Sequence, residues 1–168
     1  MVIASNSAAA NSDRYFEDYV CGSVSEYGPV TVDASEANDF KRQFGPGFWG
    51  DQEEGNTRAQ GTASEWHVLG LMMRLFVIHF LPKTTSIASP GVDELRWLKS
   101  VRVGDALRIR VTVFETRRSR SKPDRGMVRA FIEMFNQDGE LVLTLKSMNL
   151  IRCRQVGSTE SPPAPHET

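Results

Sequence analysis

The sequence is poor in the residues that build disulfide scaffolds and metal centres. It has two cysteines and three histidines in 168 residues. Two cysteines are too few for a disulfide scaffold, and no CxxC pair or Cys/His cluster has the spacing of a metal site. We therefore expect no bound metal and no cofactor. We also expect both thiols to be buried and to stay reduced, as in a cytoplasmic protein.

The chain also lacks a large excess of one charge and a long hydrophobic run. Its 20 basic and 21 acidic residues give a net charge of -1, which argues against a strongly basic nucleic-acid binder. The most apolar run, Trp66 to Leu81, is interrupted by two histidines, a glycine and an arginine. A membrane-spanning helix needs about 18 or more mostly uncharged residues. The sequence therefore predicts neither a nucleic-acid partner nor a membrane anchor.

The composition is that of one folded domain with unpacked ends. Apolar residues make up 40% of the chain and charged residues 24%, as in globular proteins. We expect residues 1–12 to be a flexible leader and residues 13–154 to form a single domain. Residues 155–168 are expected to be a disordered tail, because this segment contains three prolines and no large aliphatic residue after Val156.

Capping signals predict the first helix. Asp33 is a good N-cap residue, and Glu36 stands three residues later, which together make a capping box. Apolar residues then recur at helical spacing as far as Phe44. We expect Gly45 to end the helix in the left-handed conformation that glycine favours.

A second helix is predicted from about Thr62 to Leu81. Thr62 and Glu65 form another capping box, and Pro82 stops the helix. The body, WHVLGLMMRLFVIHFL, is apolar on nearly every face. This pattern predicts a helix that is buried on all sides, with Met72 and Met73 in the core.

Alternating apolar and polar residues predict a sheet around that helix. Strands are expected near residues 20–24, 27–32, 92–101, 107–113, 128–134 and 141–145. The run from Asn136 to Gly139 joins the last two as a hairpin turn. The order of strands, helices and antiparallel meander predicts an α+β fold, with a curved antiparallel sheet wrapped around one long buried helix.

Basic residues are concentrated in the middle of the chain. Residues 96–129 contain 11 basic and 3 acidic residues, and the most basic loop includes Arg120, Lys122 and Arg125. Runs of charge usually face solvent. A loop of this kind can also bind the phosphate groups of a ligand. The sequence leaves both interpretations open.

Several segments together resemble the MaoC-like dehydratases, a branch of the hot-dog fold. They are RYFEDYVCGSV, ASEWHVLGLMMR, SPGVDELRWLKSVRVGDALRIRVTV, SRSKPDRG and FNQDGELVLTL. The resemblance covers roughly residues 14–154. It implies acyl thioesters of coenzyme A or acyl carrier protein as substrates, and hydration of a trans-2-enoyl thioester to an (R)-3-hydroxyacyl thioester or the reverse. It also implies a homodimer or a larger even assembly.

The resemblance breaks at the catalytic positions. The family uses an Asp and a His five residues apart, and these positions fall on Gly45 and Gly50. Neither glycine can transfer a proton. The family glycine in the first turn of the central helix is replaced by Glu65. A carboxylate there would oppose negative charge on a thioester oxygen, although it is ordinary in a capping box.

Other residues could take over the chemistry. Asp51 lies next to the lost histidine position, and His67 lies in the first turn of the second predicted helix. Glu65 is the candidate base if the protein is a thioesterase. Each also has a purely structural interpretation, as a solvated loop acid, a packed helix residue or a capping residue. The residues expected to bind substrate are Trp49, Ala63, Ser64, Trp66, Arg120, Lys122 and Arg125.

Two classes of function therefore stay open. The first is an enzyme on acyl thioesters, which is a hydratase or dehydratase with replaced catalytic groups, or a thioesterase. The second is a non-catalytic thioester-binding protein or the inactive partner of an active subunit. The missing Asp and His favour the second class, whereas the resemblance favours the first by analogy.

Overall fold

The computed structural model describes residues 14–45 and 61–154. In chain order its elements are a 3-10 turn (Phe16–Asp18), β1 (Val24–Thr31), α1 (Ala34–Phe44), α2 (Glu65–His79), β2 (Ser86–Trp97), β3 (Ala106–Arg118), β4 (Arg125–Phe135) and β5 (Leu141–Arg152). The predicted leader and tail lie outside the described residues, as do residues 46–60 between the two helices.

The described strands form one antiparallel sheet in the order β1-β3-β4-β5-β2. Strands β3 to β5 are the predicted meander, in which Ile132 pairs with Val111 on one side and Leu145 on the other. All three side chains are buried. The predicted turn after β4 is present, since Asn136 donates its backbone N–H to the oxygen of Glu140 at 3.0 Å. The α+β prediction is confirmed, and the sheet is open.

Helix α1 begins as predicted and ends differently. The carboxylate of Asp33 accepts a hydrogen bond of 2.9 Å from the backbone N–H of Glu36, which is the expected N-cap. The helix ends at Phe44, and the N–H of Gly45 donates to the oxygen of Lys41. Gly45 has φ -139° and ψ 45°. The prediction of a left-handed glycine was wrong, because the φ of Gly45 is negative.

Helix α2 begins later than the sequence predicts. The backbone of Thr62 forms a β-bridge with Arg102, and the N–H of Ala63 donates to the oxygen of Val101 at 2.9 Å. These contacts keep the chain extended up to Ser64, which is the N-cap. The predicted capping box between Thr62 and Glu65 was therefore wrong, because the backbone of Thr62 and Ala63 is bonded to the segment before β3 and the N-cap is Ser64.

Helix α2 is buried on one face and exposed on the other. Leu71, Met72 and Phe76 pack into the core with the inner face of the sheet. The residues that remain exposed are Trp66 at 58%, Met73 at 42%, Val77 at 43% and Ile78 at 53%. The prediction of burial on all sides was wrong, since one open sheet covers only one side of a helix. An apolar surface is left along α2.

Two smaller predictions also need correction. Strand β2 starts before the predicted position because Ser86 already pairs with Ile151 of β5, and it ends at Trp97. Cys21 is exposed rather than buried, whereas Cys153 is buried as expected, and both are free thiols. No helix in the described ranges is long and apolar enough to cross a membrane.

Candidate functional site

The first turn of α2 gathers buried polar side chains. Ser64 is 3% exposed and His67 is 7% exposed, and Ala63 is buried beside them. The Oγ of Ser64 and the Nδ1 of His67 are buried, and neither has a hydrogen-bond partner among the described residues. Leaving a buried polar group unpaired costs about 1–3 kcal/mol. Two such atoms lie within one helical turn, which makes this turn the candidate site.

Backbone amides add to the donors of this turn. The first N–H that bonds within α2 belongs to Val68, which donates to the oxygen of Ser64 at 3.0 Å. The N–H groups of residues 65–67 come before it, and such groups have no partner inside their helix and carry partial positive charge. The side chain of Ser64 does not cap them. The turn can therefore stabilise negative charge on a carbonyl oxygen.

The imidazole of His67 is held in place by α1. The ring of Phe40 stacks on it with centroids 5.5 Å apart. Burial lowers the pKa of His67, and the carboxylate of Glu36 opposes this effect only in part. The imidazole is therefore neutral at pH 7. With its proton on Nε2, the unpaired Nδ1 is a proton acceptor.

Two tryptophans border the turn on its exposed side. The rings of Trp66 and Trp97 meet edge to face with centroids 5.2 Å apart. Trp97 also donates its indole N–H to the backbone oxygen of Glu65 at 3.0 Å. This arrangement fixes the end of β2 against the start of α2, and it places two aromatic rings at the first turn of α2.

A polar crevice of about 790 Å³ adjoins the residues that lead into α2. Its lining includes Thr62, Lys99, Arg102, Asp105 and Glu140, together with the turn after β4. Lys99 forms an ion pair with Glu140, so part of its positive charge is already neutralised. The crevice therefore suits a polar, uncharged group better than a group with several negative charges.

The predicted substrate-binding residues do not all lie close together within one chain. The bridge between Thr62 and Arg102 places the start of α2 near the beginning of β3. From there β3 runs through 13 residues, or about 40 Å, before it reaches the basic loop. Arg120 and Lys122 are exposed in that loop. Within one chain these cations lie far from Ser64.

The remaining predicted residues are distributed as follows. Arg125 forms a two-pronged ion pair with Asp124, with hydrogen bonds of 2.8 and 2.9 Å, so its charge is already matched. Glu65 is exposed, whereas Ser64 and His67 are buried. Trp49, Gly50 and Asp51 lie outside the described residues.

The sequence did not indicate two residues that shape this site. Phe40 is one of the apolar residues at helical spacing in α1, and Trp97 lies in the strand predicted near residues 92–101. Their partners His67 and Glu65 are far along the chain, and no short motif marks such contacts. Within residues 14–45 and 61–154, no group of three or more His, Cys, Asp or Glu residues could hold a metal ion.

Comparison with known proteins identifies similar solved structures. No family model and no curated protein sequence matches the chain. A MaoC-like dehydratase from Rhodospirillum rubrum is 26% identical with a TM-score of 0.71, over 85% of this chain and 99% of that chain. An R-hydratase from Pseudomonas aeruginosa is 20% identical with a TM-score of 0.62, over 91% and 96% of the two chains.

A third structure identifies the fold by its description. A Mycobacterium tuberculosis protein with a double hot-dog fold is 17% identical with a TM-score of 0.68, over 92% of this chain and 53% of that chain. The likenesses below 25% identity show the fold alone. The sheet packed on one long helix is the hot-dog fold, and the predicted resemblance is confirmed: the chain resembles the MaoC-like dehydratases and (R)-hydratases.

Proposed function

We propose that the first turn of α2 binds the thioester group of an acyl-CoA or an acyl carrier protein. The observation that carries this proposal is the pair of buried, unpartnered atoms, Ser64 Oγ and His67 Nδ1, beside the free amides of the helix. A thioester oxygen accepts hydrogen bonds, so the Ser64 hydroxyl and the amides of residues 65–67 would hold it. The same donors would stabilise an enolate oxygen.

Bound there, an enoyl thioester would be hydrated slowly. The Nδ1 of His67 takes a proton from water while the water oxygen forms a bond to the β-carbon, and the displaced π electrons move to the thioester oxygen. The imidazolium then returns the proton to the α-carbon, which restores the neutral histidine. One residue thus does the work that the family divides between an Asp and a His, at positions that are Gly45 and Gly50 here.

The thioesterase alternative is less well supported. A hydrolytic base must reach the carbonyl carbon or its attacking water. The side chain of Glu65 is exposed, whereas Ser64 and His67 are buried. A non-catalytic thioester-binding protein is the second candidate function, and the two glycines at the family's catalytic positions favour it.

The proposed assembly is a homodimer. The apolar surface formed by Trp66, Met73, Val77 and Ile78 lies on the exposed face of α2, and β1 and β2 are the edges of the described sheet. Exposed apolar surface and unpaired strand edges both favour association with a second copy. A second copy could bring its basic loop close to this site. We expect the protein to act in the cytoplasm.

Two assays test the proposal. Hydration of crotonyl-CoA, followed by the loss of enoyl absorbance, should be at least about 1,000-fold slower than in a family member with both catalytic groups, since each positioned acid or base contributes about 100- to 10,000-fold. Tryptophan fluorescence should change on titration with an acyl-CoA, because Trp66 borders the turn.

Substitutions separate binding from catalysis. Ser64→Ala should weaken acyl-CoA binding, and His67→Gln should abolish the residual hydration while binding is retained. His79→Gln is the control, since His79 is the last residue of α2. A rate near that of ordinary hydratases that survives His67→Gln would overturn the role of His67. Binding that is unchanged in Ser64→Ala, or that is absent in the wild type, would overturn the site.

A further inference from the structure

A second cavity of about 330 Å³ opens at the β1 edge of the sheet. It is lined by Tyr27 and Pro29 of β1, Ala106 and Arg108 of β3, and Gln137 of the turn after β4. This volume is at the lower end of the range for ligand pockets. The cavity therefore suits a small molecule, and nothing in the proposed thioester chemistry uses it.

Arg108 projects into this region from the outer face of the sheet. Its strand neighbours Leu107 and Ile109 are fully buried in the core. Side chains alternate between the two faces of a strand, so Arg108 lies on the face opposite α2. The backbone around it is closely packed, because a Cβ on Gly28 would lie 3.0 Å from the Cα of Arg108. This close packing fixes the backbone position from which the Arg108 side chain extends.

The guanidinium of Arg108 has no matched negative charge. Its Nε is buried without a hydrogen-bond partner, and no carboxylate among the described residues pairs with it. Charged groups that are taken out of water normally have a partner, because desolvation is costly. The neighbouring Arg110 shows the usual situation, since it bonds to Glu26 at 2.9 Å and lies 4.0 Å from Glu133.

An aromatic ring holds the unpaired guanidinium in place. The Cζ of Arg108 lies 5.5 Å from the centroid of Phe135, its cross-strand partner, and the Cζ of Arg110 lies 5.0 Å from the same ring. Contact with an aromatic face orients a guanidinium but leaves its N–H groups available. An oriented guanidinium whose terminal N–H groups form no ion pair among the described residues is the arrangement that binds a planar oxyanion.

We propose that this cavity is a binding site for a small organic monocarboxylate, held by the guanidinium of Arg108 with its carbon chain against Pro29. A single negative charge matches the single unpaired cation. Glu26 also lines the cavity, and its carboxylate disfavours a doubly charged phosphate more than a carboxylate. The site is separate from the first turn of α2, so it does not depend on the thioester proposal.

The test uses sodium butyrate as the probe and the full chain as the protein. Titration is followed by amide chemical shifts in a ¹⁵N-correlated NMR spectrum. Butyrate should shift the amides of Ala106 and Gln137, with millimolar affinity, and inorganic phosphate should bind more weakly. Arg108→Gln should weaken butyrate binding at least about 10-fold, because hydrogen bonds to charged groups are worth about 1.5–3 kcal/mol.

Two further variants make the result decisive. Arg108→Lys keeps the charge and loses the fork, so it should also weaken binding. Arg117→Gln removes an exposed cation at the end of β3 and should leave binding unchanged. If Arg108→Gln does not fold, the shifts in wild type and Arg108→Lys decide the question. No shifts at these amides with butyrate, stronger binding of phosphate, or equal affinity in wild type and Arg108→Lys would overturn the proposal.

Discussion

The indole N–H of Trp97 donates a hydrogen bond of 3.0 Å to the backbone oxygen of Glu65. The bond joins the last residue of β2 to the first residue of α2, across 32 positions of sequence. It also sets Trp97 edge to face against Trp66. The position of the first helical turn, and therefore of the proposed site, depends on the end of a strand.

Replacing Trp97 with Phe should loosen that turn. The substitution keeps an aromatic ring and removes the indole donor, so the free energy of unfolding should fall by about 1 kcal/mol. Acyl-CoA binding should weaken as well, because the amides of residues 65–67 lose their fixed position. Urea denaturation and fluorescence titration measure the two effects.

Leu98→Ala is the control at the next residue. Leu98 is 52% exposed, and a change at an exposed side chain usually alters stability by less than about 0.5 kcal/mol. If Trp97→Phe is as stable as the wild type and binds as tightly, the hydrogen bond does not position the turn.

A close contact between Phe16 and Gly126 predicts a second effect. A Cβ on Gly126 would lie 2.3 Å from two ring atoms of Phe16, which packs on β4 from the 3-10 turn. Gly126→Ala should therefore lower the free energy of unfolding by about 1–3 kcal/mol, the usual cost of overpacking. Thermal or urea unfolding gives this value directly.

A double-mutant cycle checks the cause. In a Phe16→Ala background the added methyl group has room, so Gly126→Ala should cost much less there. Gly91→Ala is the control in β2, because its Cβ would meet only the end of Met148 at 3.5 Å. Equal costs in the two backgrounds would show that Phe16 is not the obstacle.

Local signals in the sequence predicted local structure. The N-cap of α1 was predicted from the three-residue spacing of Asp33 and Glu36, and the backbone N–H of Glu36 donates to the carboxylate of Asp33 in the structure. The meander was predicted because alternation reflects the two faces of each strand. The catalytic departures at Gly45 and Gly50 were visible only through the resemblance, since glycine has no side chain whose chemistry could mark a site.

Features set by distant parts of the chain could not be predicted. The composition of α2 is apolar all round, and only the extent of the sheet decides that Met72 is buried while Met73 is exposed. The start of α2 depends on Arg102, which pairs with Thr62. The site shares this limitation, because Phe40 reaches His67 from another helix.

The buried His67 predicts a pH dependence of stability. Burial lowers its pKa in the folded state below the ordinary value of 6.5. The unfolded chain therefore binds more protons than the folded chain as the pH falls through 6.5, and folding becomes less favourable. The free energy of unfolding should be larger at pH 7.5 than at pH 5.5, and it should fall most in this interval.

His67→Gln should remove that part of the pH dependence. Glutamine does not titrate, so the stability of the variant should change less between pH 7.5 and 5.5 than that of the wild type. The carboxyl groups with lowered pKa, such as Glu17 and Asp18, lose their contribution at lower pH. A wild-type slope in His67→Gln would show that His67 is not the group responsible.

The exposed face of α2 predicts how the protein assembles. Met73 and Val77 are one helical turn apart in the apolar surface described above, and Gly70, one turn before Met73, has open space beside it. If this surface packs against a second copy of the chain, a charge introduced at its centre is buried in the interface without a partner, which is strongly unfavourable. Met73→Glu should therefore convert a dimer into a monomer.

Light scattering after size-exclusion chromatography measures the mass. The wild type should have about twice the chain mass of 18.8 kDa at micromolar concentration, and Met73→Glu should have the chain mass. Lys122→Glu is the control, because it changes an exposed charge in the basic loop, away from α2. Circular dichroism shows whether each variant is folded. A monomeric wild type would show that this face of α2 does not hold two copies together. A folded Met73→Glu dimer would show the same, because an unpaired carboxylate buried in an apolar contact weakens it.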